Sequence, residues 1–482
     1  SVTGVQTCAL PIFEASQRIQ GSQYAVTRRY YDGLGRLVQS QSLLDGQALV
    51  TDQRYTAHGE LLSQSMPYSQ SDTGSYLTPP AGQAANQFEY DPLGRLVRST
   101  APDGSSNQTD YGLPLTASGL RQVQTLDALD RASLTWLDAW GQVVRVIPPQ
   151  ENGQALHPEL VFEYDLLGRL LQAQRGAALT SLQYDLGGRK TALQDADMGA
   201  WSYAYDALGN LVEQTDARGC LTSLSYDSLN RLLGKSYSNA SGGNCAAIVA
   251  NAAPVSYSYD QGVNGIGQRT GMSDASGSVS WSYDARGRLV SELRQVGSYG
   301  SFASAWGYNS ADGLAWRQYP GGNNGQLGEL VSYSYDQRLQ LATVTGDYAY
   351  VSASAYDAAG RLVQRSLGNA AVLSQYSYYP WEQQGGRLQQ LLSGTPADSD
   401  SLQDLRYSYD LSGNLLSLQD YLAGAPQTQS FVYDALDRLV SATASGGDNG
   451  LGDYSLEMAY DPGSGNLRQK GELLYLYGDS GH

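Results

Sequence analysis

The phrase Tyr-Asp-x-x-Gly-Arg-Leu recurs along almost the whole of this chain, and no other feature restricts its fold as strongly. It reads YDGLGRLV from Tyr31, YDPLGRLV from Tyr90, YDLLGRLL from Tyr164, YDALGNLV from Tyr205, YDARGRLV from Tyr283, YDAAGRLV from Tyr356 and YDLSGNLL from Tyr409. Looser copies fill the gaps, starting at Tyr55, Tyr184, Tyr226, Tyr335, Tyr433 and Tyr460. Successive copies lie 20 or 21 residues apart from Tyr164 through Tyr184 and Tyr205 to Tyr226, and 24 apart from Tyr31 to Tyr55. At so short a period each copy is one supersecondary unit that must stack on its neighbours to cover its apolar face.

Each unit has three parts. Stretches such as WSYAYD (201–206) and VSYSYD (255–260) alternate with the period of two that a strand requires. The Asp-x-x-Gly that follows is turn chemistry: the carboxylate accepts from backbone two residues on, and glycine takes the positive φ that closes a type I turn with a bulge. A pair of aliphatics then starts the returning strand, as in Leu37-Val38 and Leu289-Val290. The turn positions singled out as structural are Tyr31, Asp32, Gly35 and Arg36; Tyr90, Asp91, Gly94 and Arg95; Tyr164, Asp165, Gly168 and Arg169; Tyr205, Asp206 and Gly209; Tyr283, Asp284, Gly287 and Arg288; Tyr356, Asp357, Gly360 and Arg361; Tyr409, Asp410 and Gly413. An isolated hairpin is marginal in water, so the hairpins must pair edge to edge. Because neighbouring strands twist by roughly 20°, a long run of them coils instead of lying flat. The expected fold is all-β: tandem hairpins forming a long antiparallel sheet that winds as a spiral, hollow shell.

Composition narrows the partners. Tyrosine (36) far outnumbers phenylalanine (5), which suits a broad sheet with an apolar body and wet hydroxyls lining a cavity, although tyrosine is also simply a good strand former. The formal net charge is −17, lysine occurs only at 190, 235 and 470, and arginine is dealt out one per turn. That pattern speaks against nucleic acid, which needs clustered cations. The arginines are expected to pair with the turn aspartates or cover apolar surface. No stretch reaches the ~20 apolar residues of a membrane span. With three histidines and no ligand-like cysteine spacing, neither a metal nor a cofactor is expected.

Residues 1–13 lack the basic n-region of a signal peptide and read as a non-native, artefactual segment, Cys8 with them, leaving residues 14–482 as one continuous repeat segment. The chain also reads as an internal piece of a longer protein. Cys220 and Cys245 form one disulfide across a repeat in an extracytoplasmic setting, or remain free. The stretches 65–85, 101–117, 147–158, 238–254, 319–328, 393–400 and 445–452 are rich in Ser, Gly, Pro and Asn and read as surface connections, 238–254 being expected to be the most mobile. Asn239-Ala240-Ser241 fits a glycosylation acceptor but carries no weight in a bacterial chain.

On the YD-x-x-GRL copies, from about Tyr24 to the C-terminus, the chain resembles the YD-repeat proteins of the RHS family, which include bacterial Rhs polymorphic toxins, shell subunits of insecticidal toxin complexes and animal teneurins. The variant YDQGVNGIGQRT from Tyr259 resembles a form found in bacterial members. The resemblance implies a hollow β-shell that holds a C-terminal effector domain until delivery. It also implies a neighbouring shell or delivery-apparatus protein as partner, and a secreted or cell-surface location. Toxin members close the shell with a region that uses aspartates to cut the effector free. No such region is read here, since Tyr460-Asp461-Pro462 leads into one more turn.

Two other functions compete with this one on the residues. A carboxylate pair for glycoside hydrolysis is opposed by the fact that Asp32, Asp91, Asp165, Asp206, Asp284, Asp357, Asp410 and Asp434 all hold the same turn position. No GxSxG, HExxH or Walker loop occurs, and Gly321-Gly322-Asn323-Asn324-Gly325 lacks the lysine and helix that phosphate binding needs. The chain is read as non-catalytic. The alternative is an adhesion module in which Trp136, Trp140, Trp201, Trp281, Trp306, Trp316 and Trp381 stack on glycans or a protein partner, Trp201 and Trp281 sharing the strand face of the repeat tyrosines.

Overall fold

The computed structural model describes residues 12–112, 115–116, 119–151, 153–250, 252–422, 426–446 and 452–477. Thirty-nine of its strands join in one antiparallel sheet. Pairing is successive along the chain, as from Leu160–Tyr164 to Leu170–Arg175, on to Ala178–Tyr184 and then Lys190–Asp195. The wound antiparallel architecture expected from the repeat is therefore present. The first strand, Ile12–Gln20, begins inside the segment set aside as non-native and pairs with Gln23–Tyr31; Cys8 lies outside the described residues.

Every repeat turn carries the same irregularity. Glu163 faces Gln172, but the next pair is Tyr164 with Leu170, so one extra residue sits on the returning strand; the same shift follows Ala204 and Ala355. This is the bulge a three-residue turn makes when its last residue is left-handed, and it adds to the sheet's twist. Where glycine is missing from that position the chain still takes the conformation: Asn230 has φ 60°, Asp437 φ 58° and Leu339 φ 64°.

Successive hairpins give the ribbon two rims, one made of the YD turns and one of the intervening loops. The loop rim of the first part of the chain lies against the YD-turn rim of the last part. Gln23 Nε2 donates to the Tyr335 carbonyl (3.0 Å), the Asp45 amide to Gln337 Oε1 (3.2 Å) and Arg131 Nη2 to Ser412 Oγ (3.2 Å). Arg131 Nη1 also reaches Asp437 Oδ1 at 2.9 Å. These partners are 292, 281, 306 and 312 residues apart, an almost constant offset that defines one winding of a spiral.

The sheet is mostly one layer thick. In Gly199–Tyr205 the face bearing Trp201, Tyr203 and Tyr205 is half-buried while Ala200, Ser202 and Ala204 are exposed. Among the described residues a compact core forms where the chain folds back on its sheet: Ala48, Val50, Tyr68 and Leu77 are buried together, with Leu43 against them. Beside them Gln39 Nε2 donates to Asp52 Oδ1 (2.7 Å) and the Leu77 carbonyl (2.6 Å), and Tyr68 Oη donates to Asp52 Oδ2 (2.7 Å). Burial raises the Asp52 pKa in spite of the donors from Gln39 and Tyr68.

Several stretches expected to be loops contain strands: Tyr68–Ser71 within 65–85, Ser106–Asp110 within 101–117, the small hairpin Gln150–Glu151 with Gln154–Ala155 within 147–158, and most of 393–400. Ser106–Asp110 (SNQTD) has no apolar residue, yet its backbone pairs with strands on both sides. A single-layer sheet tolerates polar strands because neither face must be dry. The stretch 238–254 holds a four-residue helix, Ala246–Val249, and is pinned by a Cys220–Cys245 disulfide with Cα atoms 5.1 Å apart. Among the described residues no helix is long and apolar enough to cross a membrane.

Candidate functional site: the turn ladder

The consensus residues assemble a ladder that links each turn to the next. At Tyr164 the Asp165 carboxylate accepts from the amides of Leu167 and Arg169, both at 2.9 Å, through Oδ1. Its Oδ2 accepts from Arg169 Nε at 2.6 Å. Gly168, at φ 81°, closes the turn by donating its amide to the Asp165 carbonyl. Arg169 then crosses to the following unit, donating Nη1 to the Asp185 carbonyl (2.9 Å) while its guanidinium lies 5.2 Å from the Tyr184 ring centroid. Arg189 repeats the arrangement onto the Asp206 carbonyl and the Tyr205 ring, and Tyr205 Oη donates back to the Lys190 carbonyl.

The other copies follow with small variations. Asp32 and Asp91 accept from the side chains of Arg36 and Arg95, which lie over Tyr55 and Tyr111. Asp284 binds Arg288, which stacks on Tyr308; Asp357 binds Arg361, which lies between Tyr378 and Trp381. Where Asn replaces Arg, Asn210 and Asn414 hold Asp206 and Asp410 at 2.9 Å and reach across to Asn230 and Asp437. Gly35, Gly94, Gly209, Gly287, Gly360 and Gly413 all have positive φ. Tyr164, Tyr283 and Tyr356 donate to the carbonyls of Val143, Arg269 and Leu341 on the preceding hairpin. Tyr31 and Tyr90 start the same turns, and Tyr409 lies under Arg387.

The arginines thus do both things expected of them, pairing with an aspartate and covering an apolar ring. Two parts of the ladder are absent from the sequence reading: the step to the next turn's carbonyl, and the tyrosine hydroxyl's bond to the previous hairpin. The regular alternation of a turn Arg with the next unit's Tyr was the available signal. The tryptophans do not form an exposed stripe. Trp136 is buried under Arg145, Trp281 Nε1 donates to Glu292, Trp381 is covered by Arg361, and Trp140 alone among them is largely exposed.

Several of the turn carboxylates are held below the usual aspartate range. In Asp91, Asp165, Asp185 and Asp227 the amide of the following arginine is the largest cause, and it outweighs partial desolvation to lower the pKa. Asp260, bound by both guanidinium ends of Arg231, falls to about 2. A carboxyl with a folded pKa below its unfolded value stabilises the fold above the unfolded pKa, ~3.9 for Asp, and loses that contribution as pH falls through the folded value. Melting temperature is therefore expected to be flat near neutrality and to fall steeply below pH ~4. Replacing Asp165, Asp185 and Asp227 together by Asn should make the acid fall shallower; an unchanged acid profile would show that the turn carboxylates do not set it.

The class this arrangement defines is a wound YD-repeat β-shell. Residues 154–327 match the family model described as Teneurin YD-shell. The Double-stranded DNA deaminase toxin A of Burkholderia cenocepacia (strain H111) is similar at 27% identity over 454 residues, covering 78% of this chain and 30% of that toxin. Toxin protein Tse5 of Pseudomonas aeruginosa is similar at 26% identity over 264 residues, covering 43% of this chain and 19% of Tse5. The chain thus spans less than a third of the length of these relatives. Among solved structures, TcdB2-TccC3 without its hypervariable C-terminal region matches with a TM-score of 0.76 at 17% identity, over 95% of this chain and 27% of that one. The Photorhabdus luminescens Tc holotoxin pore matches with a TM-score of 0.75 at 17% identity, also over 95% and 27%. The fold is that of these shells, and the resemblance to YD-repeat proteins of the bacterial RHS toxin type is borne out.

Proposed function

We propose that residues 14–482 form a non-catalytic segment of a bacterial toxin shell that encloses and protects a C-terminal effector domain before delivery. The stacking of loop rim on YD-turn rim carries this reading. Containment requires a wall that closes between windings, whereas a ladder of hairpins displayed for adhesion does not. The saturated turn aspartates support the non-catalytic part, since each has its carboxylate bound by its own turn. The reading places the protein outside the cell or on its surface, with its own effector domain and a neighbouring shell or delivery protein as partners. The coding sequence past His482 tests it. An effector domain unrelated to the repeats is the expected finding; a stop codon or a wall-anchoring segment directly after the repeats would favour surface display instead.

A further inference from the structure

Among the described residues the seam between the two windings holds a single histidine, His157. It follows the small hairpin of Gln150–Glu151 with Gln154–Ala155, where the loop rim of the first winding meets the turn at 461–466 of the last repeat. The two surfaces touch at glycines. A Cβ on Gly465 would fall on Nε2 of the His157 ring, and one on Gly176 would lie 3.1 Å from Pro158 Cγ and 3.4 Å from the Gly463 carbonyl oxygen. Cavities flank this contact, one of about 400 Å³ between Leu156 and Arg438 and one of about 380 Å³ between Arg175 and Ser464. The charged groups that face the half-buried imidazole are Arg175, at the end of Leu170–Arg175, and Arg438 and Asp461 of the last winding. Asp434 is already bound to Arg438 Nε at 2.7 Å, and Arg468 lies 3.7 Å from Asp461.

We propose that His157 is the proton-operated catch of a port in the wall: protonating it parts residues 155–158 from the turn at 461–466 and joins the two cavities into one opening, while the sheet stays folded. The neutral ring packs on Gly465 without adding charge. A protonated ring adds a third cation beside Arg175 and Arg438, with Asp461 alone to oppose them, in a place partly shielded from water where like charges repel more strongly. Burial, with Arg175 and Arg438 beyond it, holds the imidazole below the ordinary histidine range against the pull of Asp461. A base with a lower pKa in the closed state than in the open one binds its proton more tightly when open. The closed seam therefore keeps its full stability above pH ~6.5 and loses it as pH falls from there through the closed-state value. That window lies above the one near pH ~4 in which the turn carboxylates titrate. The inference rests on the seam and not on what the shell holds.

Amide exchange read by mass spectrometry between about pH 7.5 and about pH 5, the range in which histidine changes charge, tests it once corrected for the intrinsic rate at each pH. In the unaltered chain, exchange over residues 153–158 and 454–470 is expected to quicken on acidification, about tenfold for each unit by which the closed seam lowers the histidine pKa. Gln23–Tyr31 and Leu327–Tyr335, which meet at the same seam through Gln23 and Tyr335, are expected to stay protected. His157→Asn, which cannot take up the proton, is expected to keep its neutral-pH protection throughout. Imidazole titration by nuclear magnetic resonance, on a chain with three histidines, gives a second reading that does not depend on how well His157→Asn packs. His157 is expected to titrate below pH ~6.5 in the unaltered chain, and closer to that value in Arg175→Gln. Protection that does not change on acidification overturns the proposal. So does quickening that His157→Asn shares, a His157 that titrates at or above pH ~6.5, or a titration that Arg175→Gln leaves in place.

Discussion

Arg361→Ala is expected to lower the stability of the surrounding hairpins by about 3 kcal/mol, although the residue lies in no compact core. Its Nε is 2.7 Å from Asp357 Oδ2, its Nη1 donates to the Gly386 carbonyl, and its guanidinium lies 4.3 Å from the Tyr378 ring and 4.2 Å from the Trp381 ring. Hydrogen bonds to a charged group contribute ~1.5–3 kcal/mol and each cation–π contact ~0.5–1 kcal/mol. The alanine also leaves the Asp357 carboxylate with its backbone donors alone. Because each unit touches only its neighbours, the loss should stay local. Amide exchange should quicken over Ala349–Tyr356, Leu362–Leu367 and Val372–Tyr378 while distant repeats keep their protection. Arg361→Lys keeps the charge but not the planar fork, and should recover less than half of the effect. Exchange that is unchanged at these strands in Arg361→Ala would mean that the ladder does not hold the repeats together.

Gly287→Val should cost ~2–3 kcal/mol by a different route. Gly287 sits at φ 76°, where an L-residue pays ~1–2 kcal/mol and a β-branched one more. A Cβ there would also lie 3.0 Å from Gln268 Nε2, forcing that side chain aside. The turn fixes the pairing of Tyr283 with Leu289, so a displaced bulge threatens the register of Gly277–Tyr283 on Leu289–Val296. Gly287→Asn is the control, because Asn230 already holds the same turn position at φ 60°. The valine variant is expected to lose protease resistance around residues 277–296 and the asparagine variant to keep it. Equal resistance in both would refute the positive-φ account of the turn.

Much of this architecture was readable from the repeated phrase because its residues act locally. Asp165, Gly168 and Arg169 lie within four residues of one another, so the turn, its bulge and the Asp–Arg pair follow from sequence separation alone. What acts between hairpins was harder to see. Tyr205 Oη reaches the Lys190 carbonyl, and Arg169 reaches the Asp185 carbonyl, through backbone acceptors that carry no residue identity. Polar strands were missed for a related reason: SNQTD at 106–110 is held by backbone pairing, and its side chains record neither period nor burial. The contact between windings, such as Arg131 with Asp437, depends on the number of repeats in one winding, and no local pattern encodes that number. Leu77 was hidden in a Ser- and Pro-rich stretch, where one apolar residue gives no periodic signal.

The central claim is that this ribbon is the wall of a container. Limited proteolysis of the full-length gene product, with the fragments weighed by mass spectrometry, tests it most directly. The account predicts that sequence C-terminal to the repeats resists protease while the repeats remain folded, and becomes cleavable over the same acid or heat range in which the repeat sheet melts. Digestion of that sequence in the native protein, at the rate found for the same sequence made alone, would contradict it.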